Sequence, residues 1–86
     1  MEASIDEIEP GRVNLVVRLP GTGGGPTLGI NAHADTVGYA NWADRALSPV
    51  ADGDRMVGLG VADDKSGCAA ALLALRSLVE SGARLR

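Results

Sequence analysis

Aromatic side chains are nearly missing from this chain: Tyr39 and Trp42 are the only two in 86 residues. Large aromatics supply much of the burial in small cores, so Leu, Val and Ala must supply it here. The length suits one small domain. Such a domain buries only about 60% of the surface its unfolded chain exposes, so a thin core and marginal stability are expected. Cys68 is the single cysteine, which excludes a disulfide framework within the chain and makes a reduced, cytoplasmic setting the expectation. Positive charge is sparse as well. The net charge is −3, and no clustered basic stripe offers a nucleic-acid groove. No apolar run approaches a membrane span. The acidic start Met1-Glu2-Ala3-Ser4-Ile5-Asp6-Glu7 lacks the basic and apolar regions of a signal peptide. Neither nucleic acid nor membrane is expected as a partner.

What is present is patterned. Ala3 to Ile8 suits a short edge strand, and Glu9-Pro10-Gly11 is a turn signal. From Arg12 to Leu19, Val13, Leu15, Val17 and Leu19 alternate with Asn14, Val16 and Arg18, the period of two of a half-buried strand. Pro20 to Pro26 is a glycine-rich loop, and Thr27 to Ala32 reads as a second strand. The two strands are expected to pair antiparallel around that loop. His33 to Arg55 sustains no period, and long segments of this kind are usually functional or disordered. Ser66 to Ser81 is the clearest helix, with Cys68, Leu72, Leu75 and Val79 spaced by four, three and four. Its first turns are apolar nearly all round, so burial on more than one side is expected. Gly82 fits its C-terminal cap. No internal repeat or domain boundary stands out.

Two stretches carry polar groups suited to chemistry. His33 and Asp35 fall at the end of the expected second strand, where residues two apart face the same way. A histidine with a nearby carboxylate suits a metal ligand and the group that fixes its tautomer, although a loop histidine beside a capping aspartate is the commoner arrangement. The run Gly58-Leu59-Gly60-Val61-Ala62-Asp63-Asp64-Lys65-Ser66-Gly67 is more specific. Two glycines precede two acids at the start of an apolar helix. An N-cap role favoured by the helix dipole accounts for one acid. It leaves the glycines and the second acid unexplained, whereas a carboxylate at Asp63 is placed to bridge two cations.

Together these motifs resemble the aminoacylase, carboxypeptidase G, peptidase T and succinyl-diaminopimelate desuccinylase family of di-zinc metallopeptidases. The resemblance runs from Arg12 to Leu78. It rests on His-x-Asp after an apolar strand, here Gly29 to Val37, and on Gly-x-Gly-x-x-Asp followed by Lys and Gly, here Gly58 to Gly67. Trp42, Pro49 and Asp52-Gly53 stand between them in the family's order. Leu59 replaces the arginine of many members, and Val50 follows Pro49 where they have Phe; both departures bear on subfamily.

The resemblance implies an α/β fold: a fragment of a zinc-peptidase-like catalytic domain, with an antiparallel strand pair and then a buried helix. It implies that residues 1–86 are a partial catalytic domain, without the family's opening helix, Glu-Glu strand, dimerisation domain and C-terminal half. His33 would bind one zinc, Asp63 would bridge two, Asp35 would orient His33, and the Asp63–Asp64 peptide would be cis. Two zinc ions are the implied cofactors, with cobalt another divalent metal able to fill such a site. The implied activity is metal-assisted hydrolysis of peptide or N-acyl amino-acid amide bonds, with a glutamate as general base. That base belongs to the Glu-Glu pair, and Glu80 is the one acid beyond Asp64. The chain alone is therefore expected to be an inactive fragment or a non-catalytic relic.

A nucleotide-binding α/β module is the alternative. Gly58-x-Gly60-x-x-Asp63 nearly matches the dinucleotide fingerprint, but Asp replaces the third glycine, and the Gly21 to Gly25 loop lacks the Gly-Lys-Ser/Thr ending. Tyr39 and Trp42 are expected to pack over the core, Cys68 to be a small core residue, and Lys65 to cap or pair locally.

Overall fold

A computed structural model describes all 86 residues. It contains two antiparallel strand pairs and one helix: β1 (Glu2–Glu9), β2 (Arg12–Arg18), β3 (Val50–Asp52), β4 (Arg55–Val57) and α1 (Ser66–Glu80). The chain divides into two compact units, Met1–Leu28 with Leu78–Arg86, and Gly29–Ser77.

In the first unit β1 and β2 form a hairpin across Pro10-Gly11. The Gly11 N–H donates to Glu7 Oε1 at 2.9 Å, and the register shifts between Glu7 and Glu9. Directly paired residues share a face. Ala3 with Val17, Ile5 with Leu15 and Glu7 with Val13 define one face, largely apolar; Ser4 with Val16 and Asp6 with Asn14 define the other. The predicted strands at Ala3 and Arg12 are thus present, but their pairing differs from expectation. β2 pairs with β1, not with Thr27 to Ala32, because a tight turn closes at lower entropic cost than the long glycine loop. Thr27 to Ala32 has no ladder partner and is not a strand; Leu28 and Ile30 are exposed. The glycine-rich segment meets the chain end instead. Thr22 donates its N–H (2.8 Å) and its hydroxyl (3.1 Å) to the Leu85 carbonyl.

The second unit begins at Gly29. Successive turns from Tyr39 to Ser48 are closed by Trp42 N–H to the Tyr39 carbonyl (2.7 Å) and Ala46 N–H to the Trp42 carbonyl (2.8 Å). β3 and β4 follow as a hairpin with Val50 opposite Val57 and Asp52 opposite Arg55. Three-residue strands are too short to show alternation. The Gly53-Asp54 pair between Val50 to Asp52 and Arg55 to Val57 was the available signal.

α1 is a 15-residue helix, ending one residue before the expected Ser81. Gly82, at φ 67, donates its N–H to the Val79 carbonyl at 3.2 Å, the left-handed cap its position implied. The expected burial of this helix is not observed. None of its residues is buried, and Leu72 and Leu73 are 57% and 62% exposed. Ala46 is the only buried apolar residue of the chain. An all-round apolar helix is buried only if elements exist to cover both sides, and this chain supplies none. The exposed surface is 7392 Å², against roughly 4,800 Å² for a typical folded monomer of this mass.

Candidate metal centre

The residues of interest lie within the second unit. A turn following β4 is built on Gly58 and Gly60. Val61 N–H donates to the Gly58 carbonyl (3.3 Å) and Lys65 N–H to the Gly60 carbonyl (3.0 Å). Gly60 has φ 71 and ψ 10, a left-handed conformation that side chains with a Cβ resist. A Cβ there would also meet the Thr36 methyl and the Lys65 ammonium. Within the turn, Asp63 (φ −133, ψ 96) and Asp64 (φ −132, ψ 28) leave helical geometry, and the peptide between them is cis. The departure of both residues from helical φ and ψ turns the two acids apart. Asp63 faces His33, while the Asp64 carboxylate lies against Gly67 where a Cβ would stand. Gly67 therefore makes room for the Asp64 carboxylate, and Gly60 for Thr36 and Lys65.

His33 lies between two aspartates. Its Nδ1 is 3.0 Å from Asp35 Oδ1 and 3.2 Å from the Asp35 carbonyl. Its Nε2 is 3.1 Å from Asp63 Oδ1. Cys68, on the first turn of α1, donates its S–H to the His33 carbonyl at 3.3 Å. That bond ties the helix to the segment carrying the histidine, a role its helical spacing does not announce. The hydrogen bond to the Asp35 carbonyl, together with the Asp35 and Asp63 charges, raises the His33 pKa above its usual value of 6.5. All three side chains are open to solvent.

This geometry poses a protonation problem. Neutral imidazole has one N–H. When Nδ1–H donates to Asp35, the Nε2 lone pair faces a carboxylate oxygen, acceptor against acceptor. Either a second proton or a cation shared with Asp63 resolves the conflict. Zinc bonds of about 2.0–2.2 Å at a tetrahedral angle place neighbouring donors roughly 3.3 Å apart, close to the observed Nε2–Oδ1 separation. His33 and Asp63 thus fit two corners of a zinc site. No group of three or more His, Cys, Asp and Glu side chains in the chain is arranged to hold a metal ion. A concavity of about 410 Å³ opens here, lined by His33, Asp35, Thr36, Gly60, Val61 and Asp63 among others.

The sequence model of peptidase family M20/M25/M40 matches residues 29–86, the segment that carries this arrangement. The chain belongs to that family. Among curated proteins it is similar to acetylornithine deacetylases. Those of Aliivibrio fischeri strains MJ11 and ES114 are each 40% identical over 81 residues. That of Aliivibrio salmonicida is 38% identical over 79 residues. Each alignment covers 90% of this chain and 20% of the relative, so the chain spans about a fifth of the length of these relatives. No solved structure matches the chain.

Proposed function

We propose that these residues supply part of the metal site of a zinc-dependent amidohydrolase acting on N-acyl amino acids or peptides, the class to which acetylornithine belongs. His33 and Asp63 would hold zinc and Asp35 would orient His33. The observation that carries this reading is the His33 ring set between Asp35 and Asp63. When bound, zinc polarises a scissile carbonyl and lowers the pKa of a coordinated water toward about 7. The chain's own groups prepare that chemistry. Asp35 accepts the Nδ1–H, fixes the tautomer and leaves the Nε2 lone pair free. Asp63 brings a negative charge whose second oxygen is available to a second cation. The Gly60 turn holds that carboxylate opposite the imidazole.

In this reading residues 1–86 are a partial catalytic domain. The remaining ligands and the glutamate base belong to the other four-fifths of a protein of the relatives' length. The isolated chain is expected to bind zinc weakly and to hydrolyse no N-acyl amino acid. Equilibrium dialysis against zinc tests the ligand assignment: His33→Ala and Asp63→Asn should each lose binding, and undiminished binding by His33→Ala would refute it.

A further inference from the structure

The segment carrying His33 lacks the support that usually fixes a residue at a strand end. Thr27 to Ala32 has no ladder partner, so no sheet holds His33 beside α1. Two polar contacts join His33 to the turn and the helix instead. One is Nε2 with Asp63 Oδ1 at 3.1 Å, and the other is the Cys68 S–H donating to the His33 carbonyl at 3.3 Å. In the zinc reading the first is given up, because both of its atoms become ligands. The second uses the backbone carbonyl and is compatible with bound metal. Half-buried Cys68 lies on the helix that follows directly from the Asp63 turn, so its bond fixes His33 relative to the stretch that carries Asp63. A further contact lies at Thr36. A Cβ on Gly60 would meet the Thr36 methyl, so that methyl fills the hollow left by the missing side chain. The Thr36 hydroxyl is turned to the Val37 carbonyl at 3.2 Å and takes no part.

We propose that Cys68 and Thr36 are positioning residues that clasp the His33 backbone against the turn, keeping the imidazole opposite Asp63 before metal arrives. This inference rests on the zinc reading above and adds to it two residues that touch no metal. The thiol serves as a hydrogen-bond donor to a carbonyl oxygen, not as a ligand. Thr36 serves through its methyl group, by packing on Gly60. The gain is entropic. Two ligands already held near their bonding separation lose less freedom on binding than two ligands on independent segments. A thiol is a weak donor, so each hold is modest, and the two act together.

The test compares the full chain with Cys68→Ala, Cys68→Ser, Thr36→Ser and Thr36→Val. In equilibrium dialysis Cys68→Ala should bind zinc about threefold more weakly, the order expected of one weak hydrogen bond. Cys68→Ser keeps a donor and should restore most of the affinity. Thr36→Ser removes the methyl and should weaken zinc; Thr36→Val removes only the hydroxyl and should not. Cobalt(II) bound to the unmodified chain should show no sulfur-to-metal charge-transfer band. In the metal-free chain, the nuclear Overhauser contact between the His33 ring and the Asp63 β protons should fade in Cys68→Ala and Thr36→Ser. It should return in Cys68→Ser and Thr36→Val, with helix content by circular dichroism unchanged throughout. An unchanged His33–Asp63 contact in Cys68→Ala and Thr36→Ser, or unchanged affinity of both in a chain that binds zinc, would overturn the proposal. So would a charge-transfer band with affinity lost in Cys68→Ser, which would make the thiol a ligand. A fall in helix content matching the lost affinity would assign the loss to stability and also overturn it. Absence of zinc binding by the unmodified chain would instead refute the metal reading, and the His33–Asp63 contact across the variants would still decide whether the clasp exists.

Discussion

At the scale of single residues, the histidine sets the chemistry. His33 has acceptors at both ring nitrogens, and its pKa is raised chiefly by the Asp35 carbonyl. A raised folded-state pKa means that protonated His33 supports the fold below the ordinary histidine value. That support is lost as pH rises through the folded-state pKa. In the metal-free chain, an NMR titration of the His33 ring should give a midpoint above 6.5. Asp35→Asn should move it down while leaving part of the shift, because the backbone carbonyl remains. The same substitution should weaken zinc binding by about tenfold, as loss of an imidazole's hydrogen-bond acceptor generally does. Unchanged zinc affinity in Asp35→Asn would separate Asp35 from the site.

At the scale of elements, the turn between β4 and α1 decides where the acids go. Gly67 has the Asp64 carboxylate where its Cβ would be. Gly67→Ala should displace that carboxylate and shift or melt the first turn of α1. Thermal denaturation followed by circular dichroism should show a loss larger than the few tenths of a kcal/mol of an ordinary exposed substitution. Gly60→Ala should be worse, combining a left-handed φ with contact against Thr36 and Lys65. The rest of the helix behaves in the opposite way. Leu72 is 57% exposed, so Leu72→Ala should cost under about 1 kcal/mol, not the 2–5 kcal/mol of a buried leucine. A large loss on Leu72→Ala would show that α1 is covered in solution.

At the scale of the whole chain, exposed apolar side chains dominate. Ile5, Leu15, Leu28, Ile30 and Leu73 are each more than 60% exposed, and each hairpin is an isolated pair of strands. Two-stranded hairpins are marginal alone. The purified chain should therefore bind a hydrophobic dye and unfold with little cooperativity, and a sharp thermal transition without dye binding would contradict the exposure described. No helix is long and apolar enough to cross a membrane.

Much of this was legible beforehand where local chemistry governs. Alternation marked β2, Pro10-Gly11 marked its turn, the 4-3-4 spacing marked α1, and Gly82 marked its end, because each depends on neighbours within a few residues. The two motifs also announced the family, since glycines before paired acids make little sense as capping alone. What the sequence could not decide was pairing and burial. Alternating residues in Thr27 to Ala32 imply a strand, but a strand needs a partner edge, and β2 had already taken β1. An apolar helix implies burial, but burial needs a covering surface that these 86 residues do not contain. The site divides in the same way. Residue types at 33, 35 and 63 follow from the sequence, whereas the placement of the His33 ring between two carboxylates depends on a turn that brings together positions 30 apart.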